Sequence, residues 1–229
     1  MISDAQSQLI YQILNAPIRE HPFPHFFNTD MFPESLYAEI MNNMPDEKNY
    51  ITLLEQGLVD VPPNFVETYE QRNVITLSSE HINVIDESKR PLWVELAKVL
   101  SSTEFVNALI QKFKHRIISQ YDEGTNFRYR VEIDLIRDSK KYALGPHTDR
   151  KANILVLLIY LPPNDLTSHL GTSMYTPKET GFTCQGGPHY DRGDFDCAIT
   201  LPFLPNSALG FYKNNVSFHG VEPVKKDGD

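Results

Sequence analysis

Cysteine is nearly absent from this chain, with two in 229 residues, Cys184 and Cys197. They do not form a C-x-x-C pair, so a thiolate zinc cluster is excluded, and two cysteines cannot build a disulfide framework. Two free thiols in a reducing cytoplasm is the plainer reading, with one bridge between them as the alternative. Cationic side chains are also in the minority. Lys and Arg total 21 against 30 Asp and Glu, and a net charge of −9 leaves no basic footprint for a phosphate backbone, so nucleic acid is not an expected partner. Long apolar runs are missing too. The longest, Ile154 to Leu161, has eight residues and is stopped by Pro162 and Pro163, whereas a spanning helix needs about 20. The opening "MISDAQSQLI" lacks a basic stretch followed by an apolar one, so neither a secretory signal nor a membrane partner is expected. The expected location is cytoplasmic.

What is present is ordinary globular material. With 41% hydrophobic and 22% charged residues over this length, one domain spanning 1–229 with elaborations is the expectation. Apolar residues at helical spacing predict a short helix over 4–15 with Asp4 at its cap, and a second opening at Pro33 with "PESLYAEIMNNM". "HPFPHFFNTDMF" between them reads as extended. Residues 61–78 alternate as a strand or hairpin, with Pro62 and Pro63 placing it near an edge. From Pro91 to Lys114 two helices are expected, broken and recapped at Ser101, Ser102 and Thr103. After about residue 118 the chain becomes short apolar runs punctuated by Gly, Pro and Asn, which is β punctuation. The expected class is therefore α+β, mainly β, with a helical support region and edge strands over 1–117 and a β core over 118–229. The Gly-rich stretch 177–197 is read as a loop long enough to be functional, with a lid as one role.

The chemistry concentrates in "GPHTDRKANILVLLIYL", residues 145–161. His147 and Asp149 stand two apart on an extended segment, where side chains alternate with period two and so share a face. His219, 72 positions later in "NNVSFHGVEPV", is the best third partner because it too sits on an expected strand and is followed by Gly220. Two imidazoles and one carboxylate on one face of an octahedral ion leave three positions open, the arrangement suited to non-haem Fe(II) and oxygen chemistry. A second H-x-D, His189 to Asp191, lies in the Gly-rich loop with no apolar strand after it. It is read as loop that could line a substrate pocket, with a structural or solvent-exposed histidine preferred. His21, His25, His81, His115 and His169 have no partner at ligand spacing and are read as ordinary histidines. Phe26, Phe27 and Phe32 are read as core, and Arg150 and Lys151 as solvated charges.

"HPFPHFFNTDMFPESLYAEI", "YALGPHTD", "LVLLIYLPPND", "LGTSMYTP" and "FHGVEPV" follow one another in an order that resembles the 2-oxoglutarate- and Fe(II)-dependent oxygenases, in the branch similar to prolyl 4-hydroxylases. The resemblance covers most of the chain. It implies a double-stranded β-helix, or jelly roll, supported by N-terminal helices, with His147, Asp149 and His219 holding Fe(II). It further implies 2-oxoglutarate as co-substrate, O2 as oxidant, and a dioxygenase that hydroxylates a C–H bond with release of succinate and CO2. Tyr160 matches the family's tyrosine for the distal carboxylate of 2-oxoglutarate, with a plain core tyrosine as the rival reading.

The family's basic residue, about ten places after the second histidine, is missing here. Lys225 and Lys226 lie closer to His219 than the family pattern prefers. Either the chain is cut short before a last strand, which is the preferred reading, or another cation such as Arg137, on the strand before the motif, serves instead. A non-catalytic metal-binding jelly-roll module lacking a complete 2-oxoglutarate site is the alternative, and a cupin-type metalloenzyme a third possibility. The substrate is a prolyl peptide, an amino acid or another small metabolite; fold-level likeness does not choose among them. Nothing in the sequence sets the oligomeric state.

Overall fold

In the computed structural model, residues 2–52, 55, 71–120, 128–139 and 142–223 are described. The expected strand or hairpin over 61–78 falls partly outside them, as do Lys225 and Lys226. Among the described residues the regular structure comprises four α-helices, ten strands and short 3-10 turns.

Helix α1 spans Ile2–Asn15 and buries Ala5, Leu9 and Ile13, a four-residue spacing that lays one stripe against the core. It starts earlier than the sequence suggests, so Asp4 sits in the first turn, where a carboxylate favours the helix N-terminus, and does not cap it. Helix α2, Glu34–Asn42, follows Pro33 as expected and buries Leu36 and Ile40. Helices α3 (Arg90–Leu100) and α4 (Thr103–Ser119) are divided where expected. Ser102 caps α4, its Oγ accepting the Phe105 N–H at 3.3 Å. No helix among the described residues is long and apolar enough to cross a membrane.

The strands are β1 (His25–Asn28), β2 (Ile51–Thr52), β3 (Arg72–Thr76), β4 (Asp134–Asp138), β5 (Leu144–His147), β6 (Leu155–Tyr160), β7 (Thr172–Pro177), β8 (Phe195–Thr200), β9 (Ser207–Tyr212) and β10 (His219–Val221). They form three antiparallel sheets, ordered β1-β9-β6, β5-β10-β7-β8 and β2-β3-β4. The class is α+β, as the sequence indicates. β8 is a departure: its first residues lie within the stretch read as loop, because Asp196, Cys197 and Ala198 are exposed and carry no apolar alternation.

The period of two along β6 and β9 explains the layering. Leu155, Leu157, Ile159, Ala208 and Tyr212 face the helices in a cluster with Leu9, Ile13, Trp93 and Phe113. Val156, Leu158, Tyr160, Leu209 and Phe211 face the other way and meet Met174 of β7 and Leu201. The sheet β1-β9-β6 thus separates a helical layer from the sheet β5-β10-β7-β8, and the interior between those two sheets is where the site lies.

Candidate metal centre

β5 and β10 pair antiparallel with His147 directly opposite His219. Cross-strand partners share a face, so the two imidazoles meet, with ring centroids 4.4 Å apart. β5 ends at His147. Thr148 and Asp149 follow it beyond the strand, and the Thr148 hydroxyl donates to the Cys184 carbonyl at 3.0 Å. The Asp149 carboxylate then lies 3.7 Å from His219 Nε2. Within the group His147, Asp149 and His219, one ligand atom from each residue lies within 4.8 Å of the others.

Both rings are oriented by the backbone two residues upstream. His147 Nδ1 donates to the Gly145 carbonyl and His219 Nδ1 to the Ser217 carbonyl, each at 3.0 Å. A carbonyl only accepts, so each Nδ1 carries a hydrogen, and Nε2 is the nitrogen each neutral ring would present to a metal. Burial, with His219 and His189 nearby, holds the His147 pKa well below the usual imidazole range, so that ring is neutral near pH 7. Asp149 Oδ2 is buried and has no hydrogen-bond partner among the described residues. A buried carboxylate oxygen without a donor is costly unless a cation meets it. The donor set, two imidazole nitrogens and one carboxylate oxygen, fits a borderline divalent metal ion such as Fe(II).

Tyr160 lies on the interior face of β6, 7% exposed, and its hydroxyl donates to Thr172 Oγ1 at 2.7 Å. Burial pushes its pKa up to about 12. Thr172 stands opposite Val221, two residues from His219, which is about 7 Å along a strand. Tyr160 therefore shares the interior with the triad without touching it. Arg137 is not brought to the triad. It alternates with Ile136 onto the side of β4 that Leu135 occupies, where Leu135 joins the helical core, and it pairs with Glu47 at 3.2 Å.

Several residues that sequence reasoning passed over do lie close by. Arg72 on β3 makes a bidentate pair with Asp138, at 2.8 and 2.7 Å, and lies over the Tyr142 ring; its charge is felt at both His147 and His189. Lys213, 6% exposed, gives its ammonium to the Gln185 carbonyl at 2.6 Å. Burial lowers its pKa, against the opposing pull of Cys184 and Asp149. His189 packs its ring on that of His147, centroids 4.7 Å apart. Arg72 and Lys213 carry no local sequence signal, since each is placed by partners far along the chain, whereas His189 belongs to the second H-x-D, read from the sequence as loop that could line a pocket.

The stretch between β7 and β8 is sewn to the metal-bearing strands. Tyr190 N–H donates to the Pro146 carbonyl at 2.9 Å, and the Arg192 guanidinium donates to the carbonyls of Leu144 and Val221 at 2.9 and 2.6 Å. Gly145 is required by this closeness, because a Cβ there would lie 2.7 Å from the Tyr190 carbonyl oxygen. Gly186, at φ +127°, comes equally near the Asp149 carbonyl. The stretch expected as a loop, with a lid as one role, stands in this structure as a wall along β5. Both cysteines are free, with Cys184 buried in this wall and Cys197 exposed.

No family model and no curated protein matches this chain.

Proposed function

We propose that the chain is an Fe(II)- and 2-oxoglutarate-dependent oxygenase built on a double-stranded β-helix, hydroxylating a C–H bond of a prolyl peptide, an amino acid or another small metabolite. The observation that carries this reading is the convergence of His147, Asp149 and His219, with both Nε2 atoms available and Asp149 Oδ2 buried without a hydrogen-bond partner among the described residues. Two antiparallel sheets enclosing that site, with helices behind one of them, are what a jelly-roll oxygenase requires.

When bound, Fe(II) with 2-oxoglutarate and O2 supplies the oxidising power for hydroxylation, with succinate and CO2 as by-products. The protein's own part is positional. His147 and His219 offer oriented nitrogens, and Asp149 offers one oxygen on the same side. Phe211 packs on the His219 ring at 4.8 Å, and Met174 lies opposite His219 in the register, so water is excluded from that flank. Tyr160 is neutral, and its single hydroxyl hydrogen, given to Thr172 Oγ1 here, would turn to the far carboxylate of the keto acid when that ligand binds.

The placement of Arg137 favours one second reading, a metal-binding jelly-roll module without a complete co-substrate site. Anaerobic titration of the Fe(II)-loaded protein with 2-oxoglutarate separates the two. A visible charge-transfer band that disappears in His219→Ala supports the oxygenase. Bound iron with no band gives the ground to the binding module.

A further inference from the structure

The structure places His189 beside the triad by means that are independent of any metal. Its neighbour Tyr190 is hydrogen-bonded to β5, and Arg192 ties the same short segment to both β5 and β10, the two strands that carry the triad histidines. The Gly145 Cα faces this segment so closely that a Cβ would sit 3.6 Å from the His189 Cβ. His189 is therefore as firmly registered to the centre as the ligands are. Yet it stands outside the set whose ligand atoms converge within 4.8 Å. It is half-buried, with its ring tilted against that of His147, centroids 4.7 Å apart.

The surrounding charge selects what such a group would meet. Asp149 is the one carboxylate in the converging set. Two cations lie near, Arg72, whose charge reaches His147 and His189, and Lys213, which feels Asp149. A divalent ion held by a single carboxylate keeps a net positive charge; the Lys213 ammonium adds to it, while the Arg72 charge is balanced by its bidentate pair with Asp138. An anion is the ligand such a field attracts. An imidazole at the rim, with one ring face covered by His147 and polar edge atoms of its own, is suited to hydrogen-bond an oxygen of that anion.

We propose that His189 is a binding residue for the ligand at the metal's open positions, hydrogen-bonding a carboxylate oxygen of a small metal-chelating carboxylate anion. This rests on the reading of the triad as a metal centre and deepens it by giving the open side a partner that is not a metal ligand.

The test uses the full chain loaded with Co(II), whose visible spectrum reports both metal uptake and changes in its ligands. Titrations are run with 2-oxoglutarate and, separately, with oxalate. His189→Phe keeps a ring against His147 but has no hydrogen-bonding nitrogen. It is expected to weaken both anions about tenfold, the loss of one hydrogen bond to a charged group. Co(II) affinity should stay within about threefold, since no ligand is removed. His189→Gln, which can still hydrogen-bond, should restore most of the anion affinity, and thermal melts of both variants check that they fold.

Unchanged anion affinity in His189→Phe overturns the inference. So does a fall in Co(II) affinity as large as that of His147→Ala, which would make His189 a ligand, and so does failure of the wild-type Co(II) protein to bind either anion. If the wild type binds oxalate but not 2-oxoglutarate, the keto-acid reading fails while the oxalate titrations still decide the role of His189. If it takes up no Co(II), both fall together.

Discussion

The chain carries the triplet His-x-Asp twice, at His147–Asp149 and at His189–Asp191, and folds the two against each other. In the first, the strand register delivers His219 to the histidine, and the carboxylate two residues on lies 3.7 Å from His219 Nε2. In the second, the histidine leans on the first triplet, while Asp191 turns away to accept the Gly193 N–H at 2.6 Å and cap a short 3-10 turn. The same residue types at the same spacing give a pair converging with a third side chain in one place, and a ring contact plus a cap in the other. What separates them is the third partner that topology supplies, together with the strand that holds the pair in line.

Breaking the first triplet should have the largest effect. His147→Ala, Asp149→Ala and His219→Ala are each expected to weaken Fe(II) or Co(II) binding by more than about 100-fold, beyond the 10–100-fold typical of an outer partner; calorimetric titration checks this. Prying the triplets apart comes next. Gly145→Val puts a side chain into the Tyr190 carbonyl, and an overpacking cost of about 2 kcal/mol is expected in urea unfolding. Asp191→Ala removes a cap from an exposed turn and should cost about 0.5 kcal/mol with metal affinity unchanged. A metal-binding loss in Asp191→Ala would erase the distinction drawn between the two triplets.

The smallest effect sharpens the comparison from a third histidine. His25, 1% exposed, bonds Nδ1 to the Phe23 carbonyl two residues upstream, as the triad histidines do, but its buried Nε2 has no hydrogen-bond partner among the described residues. Burial lowers its pKa from the ordinary value of 6.5. Protonation is then easier in the unfolded chain, so the stability is complete above about pH 6.5 and is lost as pH falls below it. His25→Asn, which can keep the bond to Phe23, should flatten the melting temperature between about pH 6.5 and 5. An unaltered slope would mean that His25 does not govern acid sensitivity.

The helices were legible because their signals are local. Pro33, the Ser102 cap and the four-residue stripe of α1 all act within a turn or two. His147, Asp149 and His219 were legible because apolar strands frame them. The start of β8 was hidden by the exposure of Asp196 and Cys197, which leaves no alternation to read. The approach of Arg72, the outward turn of Arg137 and the seat of His189 were hidden for a different reason. Arg72 meets Asp138 across 66 residues of sequence, and His189 is placed by hydrogen bonds to β5. Face and register at that range come from which strands pair, and a single sequence does not state the pairing.

The carbonyl two residues before each triad histidine does more than choose a tautomer. Each ring loses its torsional freedom when its own strand forms, so the ordering cost falls on folding and little is left for metal binding to meet. Affinity for the ion is then tied to how often β10, only three residues long, frays from β5. By linkage, an ion that binds only the closed pair must slow that fraying. Amide exchange at His219 and Val221 becomes a gauge of occupancy, with the metal serving the short strand as a clasp.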